Sequence, residues 1–157
     1  MLEETVLRHL LLCLQYLLLQ ELFQKVEIVV DATRENVEVV TEFIDKQLSD
    51  RNVERRLIAK TNVAIDELYS NIAQYAYDGV KGKITVQVGL SDSSFSITFI
   101  DSGKPFNPLE KEDPDVSLGA EDRGIGGLGI FIVKNTMDDV HYEYTDNKNI
   151  LTIVKNL

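Results

Sequence analysis

The chain has 157 residues, 44% of them apolar, and a formal net charge of −10. That length suits one domain with a sound core, and the acidic balance speaks against a non-specific nucleic-acid footprint while suiting a basic protein partner. One cysteine, Cys13, excludes an internal disulfide and a multi-cysteine zinc site and fits a reducing cytoplasm; His9 and His141 stand too far apart to announce a metal centre.

Residues 1–24 read as an N-terminal helix that is apolar nearly all round. Leu7, Leu10, Leu11, Leu14, Leu17 and Leu18 form a stripe, and Leu12, Tyr16, Leu19 and Phe23 fill the other side. Such a helix must be buried somewhere. Packing on the domain or on a second copy is expected, with a membrane-surface anchor as the lesser alternative. Gln15 and Gln20 interrupt the roughly 20 apolar residues that a span needs. Glu3 and Glu4 stand where a signal peptide carries positive charge. His9, between Arg8 and Leu10, reads as structural.

Residues 25–157 form the domain proper. Lys25 to Val30 alternates and is rich in β-branched residues, so a first strand is expected. Asp31 or Thr33 caps a helix whose apolar face is Val37, Val40, Phe43, Ile44 and Leu48. A second helix runs from about Val53 to Tyr77 and buries Leu57, Ala64, Ile65, Leu68, Ile72 and Ala76. Glu67 and Asn71 are four apart and share one face beside that stripe. Taken alone they read as a solvated flank. Asp78-Gly79 ends the helix.

Lys83 to Leu90 and Phe95 to Asp101 alternate as the arms of a hairpin. A carboxylate at a strand end beside Gly103 can accept hydrogen bonds from a ligand edge, although Asp-Ser-Gly also makes plain turns. Residues 104–122 read as a long mobile loop. Loops of that length are uncommon unless functional or disordered, and this one suits a lid over a nucleotide. It leads into Arg123-Gly124-Ile125-Gly126-Gly127-Leu128-Gly129 and an apolar helix to Met137. Glycines let backbone approach a ligand, and a helix start attracts anions. No strand feeds the loop and no Gly-Lys-Ser/Thr follows, which rejects the dinucleotide fingerprint and the phosphate loop. On the loop alone, a packing turn and a phosphate site stay equally open. Val140 to Tyr144, a turn at Asp146 to Asn149, and Ile150 to Val154 close the chain as two strands. About three core helices and five strands predict an α+β two-layer sandwich, a mixed sheet with its helices on one face.

Magnesium prefers oxygen ligands, so Asn71 could share an ion with phosphate oxygens. Glu67, one turn away, could orient an attacking hydroxyl or take its proton. In their order, three segments resemble the boxes of the GHKL (Bergerat-fold) ATPases, the superfamily of gyrase and the histidine kinases. Glu67-Leu-Tyr-Ser-Asn71-Ile-Ala-Gln-Tyr-Ala-Tyr77 resembles the N box. Asp101-Ser-Gly103-Lys-Pro-Phe106 resembles the first glycine box. Gly126 to Val133 and on through Met137 to Tyr142 resembles the second box and the strand after it. Within the superfamily the chain is most similar to the anti-sigma factor serine kinases, from about Lys25 to Leu157.

The resemblance implies ATP or ADP with Mg2+ as cofactors. It implies Glu67 as catalytic base, Asn71 as magnesium ligand and Asp101 as acceptor of the adenine amino group, with Gly103 allowing close approach. Gly124, Gly126, Gly127, Leu128 and Gly129 would line the triphosphate. Lys104 and Arg123 would reach phosphates from the lid, and Thr152 would support Asp101. Tyr75 stands where many relatives have histidine, and Ser70 where many have threonine. The implied function is a cytoplasmic serine kinase that phosphorylates an anti-sigma antagonist protein and sequesters a sigma factor, usually as a homodimer without direct nucleic-acid contact. A nucleotide-dependent adaptor without kinase activity is the alternative. The catalytic part of a histidine kinase is less favoured, since no two-helix phosphoacceptor domain precedes Lys25.

Overall fold

The computed structural model describes residues 24–110 and 128–157. Gln24 opens the first strand rather than ending the helix expected over residues 1–24; residues 1–23 and most of the glycine loop lie outside the described residues. Five strands run β1 (Gln24–Asp31), β2 (Lys83–Leu90), β3 (Ser94–Asp101), β4 (Asp139–Thr145) and β5 (Lys148–Asn156). Three helices accompany them: α1 (Val37–Asp50), α2 (Arg55–Tyr75) and α3 (Leu128–Thr136). Short 3-10 turns cover Arg34–Asn36 and Pro108–Glu110. The fold is the expected α+β sandwich.

The sheet order is β1-β2-β3-β5-β4, and all four pairings are antiparallel. The sheet is therefore antiparallel where a mixed one was expected. The reason is topological. With two helices in succession, α1 and α2, the chain reverses three times between β1 and β2, so β2 returns antiparallel. The α3 crossover does join two strands of like direction, β3 and β4, but β5 inserts between them and removes the parallel contact.

Strand parity decides what faces the helices, because side chains alternate across a sheet. Ile84, Val86 and Val88 on β2, Phe95, Ile97 and Phe99 on β3, and Leu151 and Ile153 on β5 are all at most 5% exposed. They form one cluster with Val40, Ile44 and Leu48 of α1, Ile65 and Leu68 of α2, and Ile130 and Val133 of α3. Each fully buried side chain of this size contributes about 1.5–3 kcal/mol. The opposite parity carries Thr85, Gln87, Ser96, Thr98 and Thr152 along with Ile100, Ile150 and Val154, so this face is of mixed polarity.

The buried Tyr69 ties α2 to the chain leaving β1. Its hydroxyl donates toward the carbonyls of Asp31 (3.1 Å) and Thr33 (3.0 Å). Burial pushes the phenol up to about 12, against the opposing hydrogen bond to Thr33. After α2, Asp78 and Gly79 both take positive φ (47° and 82°), which turns the chain toward β2. No helix among the described residues is long and apolar enough to cross a membrane.

Candidate functional site

An open, largely apolar cleft lies between one face of α2, the end of β3, the loop after it and α3. Leu68, Ile72 and Ala76 form one wall, one or two helical turns apart, and Ile130, Leu151 and Phe106 form the others. Tyr75 stands at the rim, half exposed. Pro108 is buried in the wall, so the start of the segment expected as a lid belongs to the cleft itself. Residues 111–127 lie outside the described residues.

Asp101 is the charged group at the base of this apolar cleft, 4% exposed. It sits at the last position of β3 on the helix-facing side, opposite Ile84 and Asn149. Its Oδ1 accepts from the Gly103 N–H (2.8 Å) and from the Asn149 side-chain amide (2.9 Å). Among the described residues its Oδ2 receives no hydrogen bond, which leaves one oxygen for a ligand donor. Burial raises this carboxyl above its usual range, and the hydrogen bonds from Asn149 and Gly103 pull the other way.

Asn149 is the residue that the sequence did not reveal. Besides Asp101, its amide nitrogen donates to the Lys104 carbonyl (3.1 Å). Its Oδ1 accepts from the Tyr142 hydroxyl (2.7 Å) and the Phe106 N–H (3.2 Å). One side chain thus clamps the whole Asp101–Phe106 loop to β4 and β5. The expected turn at Asp146 to Asn149 is shorter in fact. Asp146 and Asn147 both have positive φ (51° and 57°), and Lys148 already pairs with Thr145. Asp and Asn are residues that tolerate such a two-residue hairpin turn. That preference was the signal available for placing Asn149 on the strand.

Thr152, expected to support Asp101, does not. It lies three residues beyond Asn149 and so faces the other side of the sheet, where its hydroxyl meets that of Thr98 at 3.0 Å. Lys104, expected to reach phosphates, lines the cleft but pairs its ammonium with Asp78 at 2.6 Å on the surface. Gly103 is needed for a reason other than ligand approach. A Cβ there would overlap the carbonyl of Ala76 at the end of α2, which the Lys104 N–H also reaches at 2.9 Å.

Glu67 and Asn71 lie on α2 on the flank of the cleft, and the Asn71 amide donates to Glu67 Oε1 at 2.8 Å. This pairing orients Asn71, and among the described residues its Oδ1 receives no hydrogen bond. Asn71 also lines the cleft. An available amide oxygen there fits a magnesium ion whose other ligands are water and phosphate. Among the described residues no group of three or more His, Cys, Asp and Glu could hold a metal by itself. Gly129, in the first turn of α3, lies directly against Glu67, and an added Cβ would occupy the space of its carboxylate. Leu128 opens the same helix. Arg123, Gly124, Gly126 and Gly127 lie outside the described residues.

Comparison with known proteins bears on this geometry. The histidine kinase-like ATPase domain family matches residues 30–155. Proteins named serine-protein kinase RsbW from Bacillus cereus and Bacillus thuringiensis are each 28% identical over 143 residues, covering 85% of this chain and 86% of theirs. The solved structure of the RsbU and RsbW domains of a Mycobacterium tuberculosis protein matches with a TM-score of 0.58 and 19% identity. That match covers 84% of this chain and 32% of the longer one, and it speaks for the fold.

Proposed function

Because the chain belongs to the histidine kinase-like ATPase domain family, we propose that it is an ATP-dependent protein serine kinase and anti-sigma regulatory factor. It phosphorylates an anti-sigma antagonist protein and sequesters a sigma factor. One observation carries the nucleotide part: a buried carboxylate at the base of an apolar cleft, with one oxygen left to accept from a ligand's amino edge. A planar base with an exocyclic amine suits that combination. The serine-kinase name of the Bacillus relatives supports the choice of acceptor.

In this mechanism the base enters the cleft and donates its amino hydrogen to Asp101 Oδ2. Leu68, Ile72 and Ile130 exclude water around it. The triphosphate runs toward the start of α3, where backbone N–H groups and the helix dipole favour anions. Glu67 accepts the proton of the partner's serine hydroxyl as its oxygen bonds to the γ-phosphorus and the bond to the β-phosphate oxygen breaks, leaving ADP. Asn71 offers Oδ1 to the magnesium ion that accompanies ATP, and the ion supplies charge neutralisation on the phosphates.

The apolar stretch of residues 1–23 is proposed to pack on the domain or on a second copy, in a homodimer working in the cytoplasm. Calorimetric titration of ATP and ADP, with and without magnesium, tests the site. Magnesium-dependent ATP binding that is lost in Asn71→Ala supports it, and absence of binding to either nucleotide refutes it. ATP binding together with intact cellular effects in Glu67→Ala would instead favour the adaptor without kinase activity.

A further inference from the structure

We propose that Asn149 is the positioning residue that sets the base selectivity of the cleft: it holds Asp101 as a pure acceptor, so that an adenine-type amino edge is taken and a guanine-type carbonyl edge is refused. This rests on the nucleotide site proposed above and goes beyond it. The amide orientation is not free. The Phe106 N–H can only donate, and it lies 3.2 Å from Asn149 Oδ1. The Lys104 carbonyl can only accept, and it lies 3.1 Å from Nδ2. Two backbone groups of single polarity therefore fix which end of the amide faces Asp101. That end is the donor, at 2.9 Å. Asn149 is 5% exposed, so no solvent exchange blurs this polarity. With the Gly103 N–H also on Oδ1, two donors favour the charged carboxylate against the upward push of burial.

The discriminating step is a carbonyl against a carboxylate. A guanine-type oxygen placed at Asp101 Oδ2 would bring two acceptors together with no hydrogen between them, and an unpaired buried acceptor is costly. The titratable groups facing the Asn149 amide are Asp101 on β3 and Tyr142 on β4, with Tyr144 and Glu110 near Tyr142. The Lys104 ammonium is engaged with Asp78.

Two substitutions give opposite pH dependences. Asn149→Ala removes a donor, so Asp101 takes up a proton more readily, and the acceptor is lost as pH falls. Asn149→Asp keeps the shape and still accepts from Tyr142 and Phe106, but sets two carboxyls together. When that pair holds one proton, the introduced O–H replaces the lost N–H; when pH rises and the proton leaves, the two charges repel. The test is calorimetric titration of ATP and GTP on the full chain with magnesium, between about pH 6 and about pH 8.5. Each variant is expressed relative to wild type at the same pH, which cancels the titration of the nucleotide itself.

Wild type is expected to prefer ATP over GTP at every pH. N149A is expected to lose roughly tenfold in ATP affinity at the acid end and less at the alkaline end, and N149D the reverse. The preference for ATP narrows in both. Losses independent of pH, with the ATP preference intact, would mean that Asn149 only braces the loop, and overturn the proposal while leaving the nucleotide site standing. A wild type that binds neither nucleotide overturns both. Thermal denaturation identifies a variant that fails to fold, and the sign of the other variant's pH dependence then decides.

Discussion

The contact between Gly129 and Glu67 makes a sharp prediction for Gly129→Ala. By helix propensity alone, alanine in place of glycine favours the helix by about 0.5–1 kcal/mol. The added methyl, however, falls where the Glu67 side chain now lies. Carbon atoms pack at about 3.5–4.0 Å, so the carboxylate has to move by at least about 1 Å. The end of a glutamate side chain swings at little cost, so the fold should survive with a stability change within about 1 kcal/mol. What cannot survive is the present placement of the carboxylate, including its 2.8 Å hydrogen bond to Asn71. A displacement of that size at a reacting group costs on the order of a hundredfold in rate. Asp101 lies apart from the change, whereas Asn71 loses its orienting partner and Ile130 is the next residue, so ATP affinity should fall by no more than about tenfold, or 1.4 kcal/mol, well short of the loss in rate. The assay pairs urea denaturation and ATP titration with radiolabelled phosphate transfer to the antagonist protein. Transfer at the wild-type rate in a folded, ATP-binding G129A protein would refute the role given to Glu67.

Three further outcomes follow from the geometry. Tyr69→Phe removes one donor from the Asp31 and Thr33 carbonyls, which keep donors from Thr33 and Asn36, so stability should fall by about 0.5–1.5 kcal/mol in urea denaturation. The neutral phenol is favoured in the folded state, with its pKa raised to about 12. Its contribution is therefore complete below about pH 10, the unfolded value, and disappears as pH climbs toward 12; the difference between wild type and Y69F should shrink over that window, and a constant difference would count against the assignment. Gly103→Ala drives a Cβ into the Ala76 carbonyl, backbone that cannot swing away, and should cost about 1–3 kcal/mol in stability and weaken ATP binding through the Asp101 loop. Thr152→Val changes a residue on the far face of the sheet, so ATP affinity measured by calorimetry should stay within about twofold, or roughly 0.4 kcal/mol; a tenfold loss would restore Thr152 to the site.

The elements of this fold were legible in the sequence because their signals are local. The alternation of Ile84, Val86 and Val88 and the spacing of Ala64, Ile65 and Leu68 each depend on residues a few positions apart, and every expected helix and strand among the described residues is present. Glu67 and Asn71 were legible as a pair for the same reason, since four residues on a helix bring side chains together. The hydrogen bond between them is the direct consequence.

The support of Asp101 was not local. It depends on which β5 residue comes opposite Asp101, and that register is set by a two-residue turn 45 positions away, at Asp146 and Asn147, together with the insertion of β5 between β3 and β4. Thr152 is a reasonable hydrogen-bonding residue on the right strand, yet it lies three positions, an odd step, from Asn149, and a strand's side chains change faces at every step. The need for glycine at 103 and 129 was legible as backbone freedom; that the neighbours are Ala76 and Glu67 came only from packing α2 against the β3 end and against α3. Chain-local periodicity thus determined the elements, the acid-amide pair and the class of the fold. Tertiary register decided which amide holds the buried carboxylate, because strand parity converts a shift of one residue into the opposite face of the sheet.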